Sequence, residues 1–208
     1  MFLSRVELPW EAARNPYDMH RQLWRLFPGE ARESRVSGEA ERQGFLFRIE
    51  RNPTGCPACL LVQSRRAPEP AVGIALVATR EFHPRPTADQ RLAFLLTANP
   101  VKSIVDIQRE AKPDKQSGKC RVPLIKEDDQ LQWLARKVTG AGAVAAVRVL
   151  PHTPTYFRKG NRSGKLVTVT FEGVLNVTGP DNLIRLLENG VGPAKAFGCG
   201  LLLIRRMR

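Results

Sequence analysis

Residues 2–27 read FLSRVELPWEAARNPYDMHRQLWRLF, a strand pattern followed by a helix pattern. Apolar and polar side chains alternate along residues 2–8, and this period of two predicts a β-strand. Asn15 and Pro16 then supply a typical helix cap and a proline at the first helical position. We therefore predict a helix over residues 17–27, and the chain opens with a β-α unit.

The rest of the first half extends this unit. Alternating segments predict three further strands, and the segment 70–78 is interpreted as a short helix. The resulting order is β-α-β-β-α-β, which is the ferredoxin-like pattern. We predict a first domain over residues 1–100, with its later strands at 45–50, 59–64 and 91–98.

The second half gives a similar but less regular pattern. Polar residues at 28–43 and at 108–119 predict a loop and a linker. Helices are predicted at 127–138 and 180–189, and strands at 144–150, 166–177 and 201–204. The fold class predicted for the chain is α+β, with two tandem ferredoxin-like (RRM-like) domains at residues 1–100 and 101–208.

The charge of the chain points to a polyanionic partner. The 208 residues carry a formal net charge of +13, with a net of +3 in residues 1–100 and +10 in residues 101–208. A half that basic is normally neutralised by a partner such as nucleic acid. No apolar run approaches a membrane span, and Arg5 and Glu7 interrupt the N-terminal apolar segment. We therefore expect a soluble, cytoplasmic protein with no membrane partner.

A glycine-rich segment lies between the last predicted helix and the last strand. It contains Gly190, Gly192, Gly198 and Gly200, with Lys195 inside it. Closely spaced glycines let backbone N–H groups approach phosphates, and the lysine adds a positive charge. The alternative is a structural loop that needs positive φ angles. In so basic a half, the phosphate interpretation is preferred.

A second basic segment, residues 156–165, reads YFRKGNRSGK. We predict a β-hairpin with a cationic tip, thin enough to enter a groove or lie across phosphates. The alternative is a solvated turn. The cations proposed to bind nucleic acid are Arg158, Lys159, Arg162 and Lys165 in this hairpin, with Lys102, Lys119, Arg121 and Lys126 as further candidates.

Tyr17 and His20 are three residues apart, so they share one face of the first helix. Histidine is the side chain best suited to proton transfer near neutral pH, and the start of a helix could tune its pKa through the dipole. The alternative is a packed, hydrogen-bonded histidine. His83 and His152 each neighbour a proline in an apparent turn, and we interpret both as structural. The lone CxxC at residues 56–59 has no second pair, so we expect neither a metal nor a cofactor.

Several of these motifs together resemble the CasE family, the CRISPR RNA-processing endoribonucleases of type I-E systems. The resemblance rests on the spacing of the glycine-rich segment and on short stretches spread through the chain. Those stretches are NPYDMH (15–20), ANPVK (98–102), CRVPLIKE (120–127), FEGVL (171–175) and GPAK (192–195). It implies a tandem ferredoxin-like fold, with His20 as a catalytic residue and Tyr17 assisting.

The resemblance also implies a reaction and partners. The reaction is metal-independent cleavage of precursor CRISPR RNA at the base of the repeat stem-loop, in which the RNA 2′-OH attacks and leaves a 2′,3′-cyclic phosphate. The partners would be the repeat RNA and the other type I-E Cascade subunits. Two alternatives remain: a non-catalytic module that binds structured RNA, and a basic structural protein of a ribonucleoprotein.

Overall fold

The structure is a computed structural model that describes residues 1–29, 44–105, 119–151, 154–159 and 162–207. His152 and most of the predicted loop 28–43 and linker 108–119 lie outside these ranges. Among the described residues, no helix is long and apolar enough to cross a membrane. The helices are α1 (Trp10–Ala13), α2 (Pro16–Leu23), α3 (Glu127–Val138) and α4 (Pro180–Asn189).

The described strands form two four-stranded antiparallel sheets and two ribbons. The first sheet has the order β2-β3-β1-β4, and the second has the order β12-β5-β11-β8. The ribbons are β6–β7 and β9–β10. The strands are β1 (Phe2–Leu8), β2 (Phe45–Arg51), β3 (Ala58–Ser64), β4 (Ala75–Glu81), β5 (Arg91–Ala98), β6 (Val101–Val105), β7 (Lys119–Pro123), β8 (Gly142–Pro151), β9 (Thr155–Lys159), β10 (Arg162–Leu166), β11 (Val169–Val177) and β12 (Leu202–Arg206).

Both sheets have the strand order of a ferredoxin-like fold. The second sheet combines with α3 and α4 in the chain order β5-α3-β8-β11-α4-β12, and the two ribbons are insertions in this unit. In the first sheet, α1 and α2 connect β1 to β2. The predicted α+β class with two such units is confirmed.

The predicted helix at residues 70–78 is wrong. The chain turns at Ala71–Ile74 and then forms β4, which pairs with β1. Gly73 has a φ of +74°, which a helix does not allow. Val77 and Thr79 are β-branched and favour a strand. The first unit therefore lacks the second helix of the ferredoxin-like pattern among its described residues.

The strand predicted at 91–98 belongs to the second unit and not to the first, because β5 lies in the second sheet between β11 and β12. Its alternation identified a strand without identifying its neighbours, because a period of two reports only which face is buried. Leu92, Phe94 and Leu96 pack into the core of the second unit. The first sheet ends with β4 at Glu81, and the next strand of the chain, which begins at Arg91, belongs to the second sheet. The change from one unit to the other therefore comes before the boundary predicted after residue 100.

Each unit has its own hydrophobic core. In the first, Met19 and Leu23 of α2 are fully buried with Phe47 and Leu60 of the sheet. In the second, helices α3 and α4 cover one face of the sheet. Its fully buried large side chains are Leu96, Leu134, Phe171, Leu175, Leu183 and Leu187.

Polar side chains connect the two units. Arg48 of β2 donates from Nη1 to Thr97 Oγ1 of β5 over 2.7 Å, and Thr97 Oγ1 lies 2.8 Å from Thr170 Oγ1 of β11. Gln63 of β3 is buried and donates from Nε2 to the carbonyl of Leu187 in α4 over 2.5 Å. Because buried polar groups need partners, these bonds favour one arrangement of the two units.

Candidate active site

Helix α2 presents Tyr17 and His20 at the side of the first sheet. The Asn15 side chain caps the helix, and Pro16 occupies its first position, as predicted. The His20 ring is half-buried and lies 5.3 Å from the Phe45 ring, centroid to centroid. The corresponding distance to Trp24 is 6.0 Å. His20 is therefore held among aromatic rings at the edge strand β2.

Burial lowers the pKa of His20 from 6.5 to about 4. The charged imidazolium is disfavoured because the ring has lost part of its solvation. The predicted influence of the helix start is not the cause, since His20 is the fifth residue of α2 and lies in its last turn. A neutral imidazole at neutral pH is able to accept a proton.

Tyr17 lies one turn earlier on the same helix and faces the glycine-rich segment. Its ring centroid is 6.4 Å from that of Phe197, and both residues are half-buried. Phe197 ends a short 3₁₀ turn, Lys195–Phe197, that packs against α2 and β2. The predicted catalytic pair and Lys195 therefore belong to one region of the surface.

The glycine-rich segment serves packing in this structure. All four glycines have positive φ, between +72° and +90°. A Cβ on Gly190 would lie 2.8 Å from the Leu46 side chain, so the loop lies close against the first sheet. The N–H groups of Gly190, Gly198 and Gly200 donate to the carbonyls of Leu186, Lys195 and Thr97. Those three N–H groups are not available to a phosphate, and the positive φ angles expected of a structural loop are present. Phosphate binding by Gly192 and Lys195 stays a prediction.

The basic segment forms a hairpin of β9 and β10, as predicted. Its side chains alternate between two environments: Tyr156, Arg158 and Lys165 are exposed, and Phe157 is half-buried. Lys165 Nζ lies 6.0 Å from the centroid of the Tyr156 ring. Residues 160–161 at the tip and the side chains of Lys159 and Arg162 lie outside what the structure describes. The described cations of the hairpin point to solvent.

The hairpin meets α2 at its base. The Arg158 backbone is hydrogen-bonded to the Asn15 side chain, and the Phe157 ring lies 4.5 Å from the Phe197 ring between centroids. The structure thus brings the predicted catalytic pair, Lys195 and the hairpin together. Lys102 and Arg121 are exposed but lie on the other ribbon, β6–β7.

Sequence reasoning missed several residues of this region. Asn15 was identified only as a helix cap, and Phe157 and Phe197 were not singled out. Their contacts join segments far apart in the chain, so no local sequence pattern predicts them. The described residues contain no group of three or more His, Cys, Asp or Glu side chains able to hold a metal. The CxxC pair is split, with Cys56 exposed and Cys59 buried.

The fold and this region define a tandem ferredoxin-like protein with a histidine-bearing helix beside a cationic hairpin. Residues 1–206 match the profile of the CRISPR-associated protein family, and the chain belongs to this family. It is 38% identical over 204 residues to the CRISPR system Cascade subunit CasE of Escherichia coli K12, covering 97% of this chain and 98% of that protein. It is 34% identical over 205 residues to the CRISPR-associated endoribonuclease Cse3 of Thermus thermophilus, covering 90% of this chain and 89% of that protein.

Solved structures agree with this assignment. The crystal structure of the CRISPR-associated protein Cas6e from E. coli K-12 superposes with a TM-score of 0.83 at 36% identity, and both chains are fully covered. A structure of the CRISPR endoribonuclease Cse3 bound to a 19-nucleotide RNA superposes with a TM-score of 0.77 at 29% identity, covering 99% of this chain and 100% of that one. The fold predicted from the sequence is thus shared with the family over the whole chain.

Proposed function

We propose that this protein is a metal-independent endoribonuclease that cleaves precursor CRISPR RNA at the base of the repeat stem-loop. After cleavage it stays bound to the mature RNA as a subunit of Cascade, in the cytoplasm. The observation that carries the proposal is a half-buried histidine on a helix that a cationic hairpin contacts. The relatives named as an endoribonuclease and as a Cascade subunit support it.

The proposed reaction uses a nucleophile that the RNA itself supplies. The 2′-oxygen next to the scissile phosphate attacks phosphorus, and His20 accepts the 2′-OH proton as general base. The bond from phosphorus to the 5′-oxygen breaks, and that oxygen takes a proton from solvent and leaves as a 5′-OH, while His20 returns its proton to solvent. The other product carries a 2′,3′-cyclic phosphate. The lowered pKa keeps the His20 ring neutral and able to accept the proton, and it also makes the ring a weaker base than an ordinary histidine.

Other residues would bind and orient the RNA. Tyr17, on the same face of α2, would donate a hydrogen bond near the 2′-OH or the scissile phosphate. Arg158 and Lys165 are exposed on the hairpin and would contact stem phosphates, which position an RNA without reading its sequence. Lys195 would add positive charge where negative charge develops on the phosphate in the transition state.

A second candidate is a non-catalytic subunit that binds structured RNA. It is favoured by the packing of His20, whose ring lies among Trp24, Phe45 and Phe47 as a structural histidine would. In that case the histidine stabilises α2 against the sheet and moves no proton. The hairpin would keep the same role in binding.

Cleavage of a cognate repeat hairpin in EDTA separates the two candidates. The enzyme is expected to cut the RNA once in the presence of EDTA and to leave a 5′-OH and a cyclic phosphate, identified by mass spectrometry. Binding without cleavage would favour the second candidate. A 3′-OH product, or activity that EDTA abolishes and Mg²⁺ restores, would contradict the proposed mechanism.

A further inference from the structure

The side chain of Asn15 holds two separate elements at once. Its Oδ1 accepts the N–H of Tyr17 in α2 at 3.4 Å and the N–H of Arg158 in β9 at 3.2 Å. Its Nδ2 donates to Asp18 Oδ2 at 2.9 Å and to the carbonyl of Arg158 at 2.8 Å. The amide therefore caps the helix and also pairs with both main-chain groups of Arg158, as a neighbouring strand would.

A second contact supports the hairpin at the same place. The Phe157 ring covers Gly164 on the paired strand so closely that a Cβ there would clash with its Cζ. The same ring lies 4.5 Å from that of Phe197, which in turn lies 6.4 Å from the Tyr17 ring, between centroids. The base of the hairpin is thus held to α2 directly by a polar contact and indirectly, through Phe197, by aromatic contacts.

The contact between Asn15 and the hairpin leaves the cationic side chains of the hairpin available to bind RNA. Asn15 uses only main-chain atoms of Arg158, and the Arg158 side chain is exposed. An isolated two-stranded ribbon is only marginally stable and has no fixed direction of its own. The angle between the ribbon and α2 is therefore fixed by the contacts at the base of the ribbon. The same angle sets the orientation of an RNA stem that is bound to the ribbon.

We propose that Asn15 is a positioning residue that clamps the basic hairpin to the catalytic helix. Through this clamp, an RNA stem held by the hairpin presents its scissile phosphate to His20. The inference rests on the proposed function and adds to it a link between the binding element and the reacting side chain. A displacement of about 1 Å at a reacting centre can cost about 100-fold in rate, so a loosened hairpin would impair cleavage more than binding.

The substitution Asn15→Ser separates the clamp from the helix cap. Serine is as good an N-cap as asparagine, so α2 keeps its capping bond. A single hydroxyl cannot replace both bonds to Arg158. Asp18→Ala is the matched control, because it removes the 2.9 Å bond of Asn15 within the helix and leaves the hairpin contact in place.

The experiment measures single-turnover cleavage of a repeat hairpin at saturating enzyme, the Kd of that RNA, and the unfolding midpoint. For Asn15→Ser we expect the saturated rate to fall by about 10- to 100-fold, with Kd and the unfolding midpoint close to wild type. Asp18→Ala should keep its rate. A wild-type rate in Asn15→Ser, or an equal rate loss in both variants, would overturn the clamp.

Hydrogen exchange in the RNA-free protein gives a readout that does not depend on catalysis. The Arg158 N–H should exchange faster in Asn15→Ser than in wild type or in Asp18→Ala, because its acceptor is gone. Unchanged exchange would show that the clamp does not hold the hairpin. Failure of the proposed function is recognised separately, because then the wild-type protein itself does not cleave.

Discussion

Gly192 faces the indole of Trp133 so closely that a Cβ at this position would lie 2.7 Å from Cζ2 of the ring. Trp133 is buried in the second core and stacks on Phe171, with 6.2 Å between ring centroids. The glycine-rich segment therefore lies on the second core at one point and on the first sheet at another. Its small residues permit both contacts.

Gly192→Ala is expected to destabilise the protein by this contact. Overpacking costs about 1–3 kcal/mol, in addition to about 1–2 kcal/mol for an alanine at positive φ. Gly73→Ala is the matched control, because Gly73 has a φ of +74° and a Cβ there would meet nothing within 4 Å. Urea unfolding should show the larger loss in Gly192→Ala. Equal losses would mean that the close approach to Trp133 has no energetic consequence.

His20→Gln should lower the single-turnover cleavage rate by about 10²- to 10⁴-fold, because it removes the proton acceptor. RNA affinity should change little, since the hairpin cations are untouched. His83→Gln is the control, because His83 is exposed and contacts Glu81 at 3.0 Å away from α2. Tyr17→Phe removes one hydrogen bond and should slow cleavage less than His20→Gln. A wild-type rate in His20→Gln would remove His20 from the mechanism.

The lowered pKa of His20 predicts the pH dependence of the reaction. With a pKa of about 4, the ring stays neutral and able to accept a proton as the pH falls from about 7.5 to about 5.5. We therefore expect kcat/KM to be flat over this range. A histidine at its ordinary pKa of about 6.5 would lose about tenfold at a pH of about 5.5. NMR titration of the His20 ring checks the value directly, and a midpoint near the ordinary pKa would contradict the effect of burial.

The hairpin cations are expected to set RNA affinity. Replacing both Arg158 and Lys165 by alanine removes two phosphate contacts and keeps the main-chain bonds to Asn15. The slope of log Kd against log salt should fall by about 1.4–1.8 in magnitude, while cleavage at saturating enzyme is largely kept. The control removes the same charge at Arg136 and Arg185, which are exposed on the helices.

Unchanged RNA binding by the double variant would contradict a role of the hairpin cations in affinity. If the double variant binds the repeat as tightly as wild type at low and at high salt, the segment 156–165 is a solvated turn. The RNA would then lie on another basic surface, and Lys102 and Arg121 on the ribbon β6–β7 are the next candidates.

Elements with strong local signals were predictable from the sequence. The predicted bounds 127–138 and 180–189 coincide with α3 and α4. Acidic residues in the first turn, a proline at the first position and a glycine after the end make such boundaries visible. The strand at 91–98 was also found, but its sheet was not, because a strand's neighbours are chosen by packing across the whole chain.

The candidate site was predictable only in part. Tyr17 and His20 could be found because they lie on one face of one helix. The bonds between Asn15 and Arg158 join residues 143 positions apart, and neither residue type predicts a contact with the other. The cause of the His20 pKa shift could not be predicted either, because the burial of the His20 ring depends on Phe45 and Phe47 from a strand elsewhere in the sequence.

The place of β5 has a consequence for how the chain folds during synthesis. All four strands of the first sheet precede Arg91, so that sheet can form while the rest of the chain is still being made. β5 is released next, but its neighbours β11 and β12 begin only at Val169 and Leu202. In the growing chain, β5 therefore lacks its native neighbours for a time. Its apolar side chains Leu92, Phe94 and Leu96 are then exposed and vulnerable to aggregation. The second core closes only after β12 has left the ribosome.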